Sequence, residues 1–161
     1  VTVRFRNGFY AGLLVAFVVG LYLASLWAAE RQVQLHSEHL VAAIEKRDAA
    51  DVAAFIDESY RDDWGDDREL LLQRVRALLQ LLRNIHVNAT APAIAVTGGE
   101  GRWTARVTIT ADGEFAPAVS ERVNAVTTPF ELFWRKRSWK PWDWKLVRVA
   151  NPTLEIPRGL D

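Results

Sequence analysis

Four tryptophans and five cations alternate in WRKRSWKPWDWK, residues 134–145. Such interleaving can stack on nucleic-acid bases, settle on anionic lipid headgroups, or close a twisted hairpin with indoles inside and cations outside. Arg135, Lys136, Arg137, Trp139 and Lys140 are the candidates for contact with a partner or a membrane. Residues 48–69 hold nine acids against only Arg61 and Arg68, and the acidic segment from Asp57 to Asp67 offers an electrostatic complement, within one subunit or between two. Over the whole chain the formal charge is zero, which argues against general capture of nucleic acid. Charges of this kind at a rim tune specificity more than affinity.

His36 and His39, three apart in a helix-forming stretch with Glu38 beside them, sketch two nitrogens on one side of a metal site. A third ligand is not evident; His86 falls in a strand pattern, so a solvated or packed histidine pair is the reading preferred, with no metal. Asn88-Ala-Thr90 matches the glycosylation sequon, but inside a strand pattern it is discounted. The chain has no cysteine, and hence no disulfide, thiolate nucleophile or cysteine-held metal. Nucleophile-elbow, Walker and dinucleotide glycine patterns are absent from the sequence. No catalytic residue or cofactor is assigned.

The elements that must position these side chains follow from periodicity. Residues 30–46 place Val33, Leu40, Ala43 and Ile44 on one helical face. Asp48 is a good N-cap, with Asp51 in the first turn of a short helix carrying Val52, Phe55 and Ile56. YRDDWG, residues 60–65, breaks the pattern. Asp66 or Asp67 then caps a third helix with a stripe of Leu71, Val75, Leu78, Leu79 and Leu82. After Asn84 the period falls to two: Ile85, Val87, Ala89 and Ala91 alternate with polar residues, and beyond the TGGEG turn so do Trp103, Ala105, Val107 and Ile109. Asp112-Gly113 turns the chain, and the stretch to Ser120 reads as a loop. Residues 123–136 read as a long strand with Pro129 at an edge or bulge and Phe130, Leu132 and Trp134 on one face. A last strand starts with Trp142, Trp144 and Leu146 and ends near Ala150.

Ahead of all this, residues 9–29 contain no charge and follow Arg4 and Arg6. As a helix they would span roughly 30 Å, the thickness of a bilayer's hydrocarbon core. The expectation is a single-pass anchor with a short cytoplasmic tail (1–8), the N-terminus inside, and residues 30–152 exported as one domain ahead of a tail at 153–161. A cleavable leader competes, although its apolar core should be shorter and no A-x-A-like site follows. Gly12, Ala16, Gly20 and Ala24 form a small-residue ridge through which two copies could pair in the membrane. Position 1 is valine, which suggests an alternative start, a fragment or a processed form.

The order of elements implies an α+β fold, with three helices on a strongly bent four-stranded antiparallel sheet. IEKRDAADVAAFIDESYRDDWG at 44–65, and the closing WDWKLVRVANP at 142–152, resemble the nuclear transport factor 2-like (SnoaL/ketosteroid isomerase-like, cystatin-like cone) superfamily. The resemblance spans nearly all of 30–152. It implies a cone, hollow between helices and sheet, with Tyr60, Trp64, Phe130, Trp134 and Trp144 as candidate lining. Isomerases of this fold use an acidic base with a tyrosine and a protonated acid; Tyr60, Asp57, Asp62 and Asp63 supply the types. Glu131 and Asp143 are poorly placed to complete that set. The layout resembles bacterial secretion-system assembly subunits, so the leading expectation is a non-enzymatic docking module at the inner membrane for an unidentified protein partner. The alternative is a pocket for a small apolar ligand, or an isomerase- or cyclase-like enzyme.

Overall fold

A computed structural model describes residues 2–154, with side chains described for 10–24 and from Trp27 onward. Residues 155–161, most of the expected C-terminal tail, and the side chains of Arg4 and Arg6 lie outside the described residues. The chain forms α1 (Thr2–Leu26), α2 (Ala29–Glu45), α3 (Ala49–Phe55) and α4 (Arg68–Leu81), then β1 (Arg83–Thr97) and β2 (Glu100–Asp112). It closes with α5 (Ala116–Asn124), β3 (Phe130–Lys136) and β4 (Trp144–Ala150). The strands form one antiparallel sheet in the order β1-β2-β3-β4.

Of the three expected helices α2, α3 and α4, the last two begin where capping chemistry places them, while α2 starts after Ala28 without a side-chain cap. Asp48 Oδ1 accepts the amides of Ala50 and Asp51, both at 3.0 Å, and Asp67 Oδ1 accepts that of Leu70 at 3.0 Å. The anchor boundary differs from expectation. Ala28 leaves the helical region (φ −55°, ψ 133°), so α1 ends at Leu26 and not at residue 29, and Tyr10–Ala24 meets α2 at a bend of 65°. Among the described residues no single helix is long and apolar enough to cross a membrane; only that bent pair passes together. Gly12, Ala16, Gly20 and Ala24 are exposed along α1.

Four further differences have local causes. Where a loop and the start of a strand were expected, α5 forms: Pro117 sits in its first turn, where a missing N–H costs nothing, and Ala116 is buried against Leu79, Leu82 and Ile85. The third strand therefore starts only at Phe130. In β1 the phase slips, because Ala91 adopts φ 51° and Pro92 cannot donate to the ladder. Register shifts between Thr90 and Ala93, leaving Ala91 exposed and turning Ile94 and Val96 toward the core. On α4, Leu72 is buried and Leu78 exposed, the reverse of the expected stripe. Trp142 lies in the turn before β4, not in the strand.

Helix α2 lies across the β1–β2 ribbon. Gly98 and Gly99, both at positive φ (58° and 85°), form the two-residue hairpin turn. Beyond them Val33 packs so closely on Gly101 that a Cβ there would stand 2.4 Å from Val33 Cγ2. At the other end of α2, Glu45 Oε1 accepts the Val87 amide at 2.8 Å on the outer edge of β1. Strand β3 pairs with only the first part of β2, residues 100–105. Further along, the Asn124 side chain accepts from Ile109 N (2.8 Å) and donates to Ile109 O (3.0 Å), as a neighbouring strand would. The outer edge of β4 is taken by the segment after α3, with Asp57 N donating to Leu146 O and Arg61 N to Val147 O.

Gly101→Ala should destabilise the domain by roughly 1–3 kcal/mol, as overpacking does. Urea unfolding checks it, and Val33→Ala in the same chain should recover part of the loss; simple additivity of the two changes would place the clash elsewhere.

Candidate functional site

The space between helices and sheet is occupied. Trp134 and Trp144 are each 1% exposed and Tyr60 is 2% exposed, packed with Leu146, Val33 and Trp103 in one cluster. His36 and Phe55 close over Trp134 edge-on, with ring centroids 5.7 and 6.3 Å from it. Trp144 Nε1 donates to Pro141 O at 2.9 Å. Among the described residues Trp134 Nε1 finds no acceptor, at a cost of about 1–3 kcal/mol.

The structure therefore places the five candidate lining residues in different surroundings. Tyr60, Trp134 and Trp144 are core; Trp64 is half-buried beside the C-terminal segment, its Nε1 donating to Leu154 O at 2.7 Å; Phe130 is half-buried at the start of β3. Three open-mouthed hollows of about 300–400 Å³ lie around this core. One sits between His36, Phe55 and the 140–145 segment, one on the outer sheet face by Phe133 and Arg148, and one beside Asp57 and Arg68. Tyr60, Trp64 and Phe130 line none of these three.

The acids near Tyr60 hold the loop that contains them. Asp62 Oδ1 accepts the amides of Trp64 (3.0 Å) and Asp66 (2.8 Å), while its Oδ2 accepts from Tyr60 Oη at 3.3 Å. Asp66 pairs with Arg74 at 2.8 Å. Burial first, then the Asp62 carboxylate, pushes the Tyr60 hydroxyl well above its ordinary 10.0, so it stays protonated and donates inward to Asp62. Burial also raises the Asp66 carboxyl above 3.8, against the pull of Arg74. Asp63 is exposed and lies 3.4 Å from Arg148, whose guanidinium stacks over Phe133 at 3.9 Å.

Asp57 is buried and joins two elements. Its Oδ1 accepts Ser59 N at 2.8 Å and Ser59 Oγ at 2.6 Å, and its Oδ2 pairs with Arg137 at 3.0 Å. Burial would raise its carboxyl, but the Ser59 bonds together with Arg137 and Arg135 outweigh that and hold it below 3.8. Ser59, a residue type common in turns, carries no signal of this role in its surrounding pattern.

The histidines do not assemble a site. His36 Nδ1 lies 2.8 Å from Gln32 O within its own helix, His39 is exposed, and Glu38 accepts from Gln34 Nε2 at 2.8 Å. His86 and Asn88 are exposed on β1. Among the described residues no three His, Cys, Asp or Glu side chains come together to hold a metal.

The tryptophan-cation segment divides. Its outer pair, Trp134 and Trp144, enters the core, while Trp139 and Trp142, in the turn between β3 and β4, are 84% and 55% exposed. Arg135 pairs with Glu100 at 3.6 Å and Arg137 with Asp57. Among the described residues no carboxylate is within ion-pair distance of Lys136 or Lys140.

No known family profile matches this sequence, and no curated protein matches it. Solved structures do match in fold. An NTF2-like protein from Cytophaga hutchinsonii superposes with a TM-score of 0.53 at 14% identity, over 74% of this chain and 94% of that one. A candidate dehydratase of the NTF2-like family from Streptomyces avermitilis gives 0.56 at 15%, over 74% and 91%. Bd1075 of Bdellovibrio bacteriovorus gives 0.58 at 15%, over 74% of this chain, which spans only 40% of that protein's length. The domain thus has the NTF2-like, cystatin-like α+β fold, an identification that leaves activity open.

Two outcomes test this electrostatic picture. Asp57→Ala, which strands the Ser59 donors and Arg137, should lower stability by about 1–3 kcal/mol in urea unfolding. Burial holds the His36 imidazole below its ordinary 6.5, aided by His39 and Lys145 and opposed by the Gln32 and Trp142 carbonyls. The unfolded chain then binds that proton more readily, so His36's contribution is complete above 6.5 and is lost as pH falls through 6.5 toward the lower folded value. Unfolding midpoints of wild type minus His36→Phe should show that decline; a flat difference would refute it.

Proposed function

We propose that this protein is a membrane-anchored, non-enzymatic interaction module, its cone domain presented on the exported side of an inner membrane to dock a protein partner. The observation that carries this reading is the filled cone. An enzyme or apolar-ligand site of this fold needs free space beside a polar group with a perturbed pKa. Here the Tyr60 hydroxyl, raised by burial, is enclosed by side chains and bonded to Asp62, while His36 and Asp57, the shifted groups that border open hollows, are engaged by Gln32 O and by Ser59 and Arg137. Dehydratase names among the structural neighbours are the support for the competing pocket reading. The anchor reading draws support from α1, whose described side chains at 10–24 are uncharged and all exposed, a face that hydrocarbon would cover.

Cone ligands provide the test. Tryptophan emission and thermal unfolding of the full chain in lipid nanodiscs should show no saturable response to a panel comprising a steroid enone, a polycyclic aromatic ketone and a fatty acid. A saturable shift that disappears in Tyr60→Phe would overturn the interaction reading in favour of a ligand pocket.

A further inference from the structure

Register fixes which end of the domain carries the exposed tryptophans. Val33, in the second turn of α2, lies on Gly101 at the start of β2. Strand β2 then runs alongside α2 in the same direction, since Glu45 meets Val87, which pairs with Ile109. Strand β3 is antiparallel to β2, and therefore runs back toward the start of α2. It leaves the sheet at Lys136, whose amide donates to Gly99 O at 2.9 Å, already past the level of Gly101. The turn at 137–143 thus projects from the end of the domain where α1 gives way to α2. Its flank rests on the second turn of α2, where Trp142 and Lys140 share a hollow with His36.

At that end stand Trp139 and Trp142 with Lys136 and Lys140, neither of them ion-paired among the described residues, and Trp27 at the α1–α2 break is also exposed. Facing charges are few. Asp143 lies within the turn, Glu30 opens α2, and Glu100 and Asp57 are engaged by Arg135 and Arg137. Two tryptophans offer at most roughly 300–500 Å². A stable protein interface needs about 800 Å² from each partner. Headgroup-level tryptophan and lysine, by contrast, need no such area, because the rest of the attachment is supplied by the anchor.

We propose that the β3–β4 turn, through Trp139 and Trp142 with Lys136 and Lys140, seats in the headgroup layer of an anionic bilayer beside α1. The domain is then held at two points and cannot swing freely on its anchor. This rests on the reading of α1 as the membrane anchor.

The absence of cysteine allows single-site labelling of the full chain. Ser138→Cys, Leu13→Cys and Glu121→Cys each carry an environment-sensitive fluorophore, in vesicles of phosphatidylcholine with about one-third phosphatidylglycerol, an anionic fraction that attracts nearby lysines. Headgroup nitroxide lipids should quench the Ser138 label several-fold more than the Glu121 label on α5, and Trp139→Ala with Trp142→Ala should abolish that difference. Both tryptophans are exposed, and an unchanged circular dichroism spectrum confirms that this variant folds. Acyl-chain nitroxides should quench the Leu13 label throughout. Equal quenching at 138 and 121 with Leu13 still in lipid overturns the seating and leaves the anchor standing. A Leu13 label that lipid does not reach overturns the anchor, and the seating with it. A Ser138 label shielded from aqueous iodide yet out of reach of lipid nitroxide marks a protein contact instead, and also overturns the proposal.

Discussion

Val33 can rest on the sheet only because residue 101 has no side chain. That close approach sets the height and the register of α2 over the β1–β2 ribbon, and much else follows from it. One turn further along, Ser37 is fully buried with its hydroxyl bonded back to Val33 O at 2.9 Å, and His36 reaches Trp134 and Phe55. Were α2 lifted by a methyl group, the rings over Trp134 would separate and the interior would open. Occupancy of the cone is therefore a property of one helix–sheet contact as much as of the large residues inside it.

The polar groups of the domain serve the same end. Asp48 and Asp67 start helices, Asp62 ties its own loop, and Asp57 joins the end of α3 to the β3–β4 turn through Arg137. Asn151 does comparable work near the C-terminal end: its Oδ1 accepts the amides of Thr153 and Leu154, and its Nδ2 donates to the carbonyls of Thr128 and Pro129. Acids that are consumed by backbone amides are poorly disposed for proton transfer, and their number reflects how many turns this short domain must close.

Helix α2 and the β1–β2 hairpin were legible from long periodic segments, the short α3 from its aspartate cap, and α4 from both. Helix α5 was not: nine residues with a proline at the second position resemble a loop unless one knows that Ala116 has a core to enter. Pro92 is the local signal of the phase slip at Ala91, a proline inside a strand pattern, whereas the exposure of Leu78 has no local signature and depends on what the opposite surface offers. The tryptophan segment was half legible. Alternation turns Trp134 and Trp144 inward, but it also carries Trp142 into the strand, whereas that residue lies exposed in the turn; Trp139, outside the alternation, stands apart as a contact candidate. Tyr60 and its acids had the right types for catalysis, and only three-dimensional placement shows that Tyr60 donates to Asp62 while the acids are engaged by backbone amides, Ser59 and arginines.

The Asn124 amide, which bonds both backbone groups of Ile109, stands in for a strand that the sheet does not have. Beyond residue 105 no strand pairs with β2 on that side among the described residues, and α5 lies along what would otherwise be an edge of the kind that recruits identical chains into fibrous assemblies. A short helix contributing one carboxamide thus caps the edge where self-templating would begin, at a residue remote from every surface considered for docking.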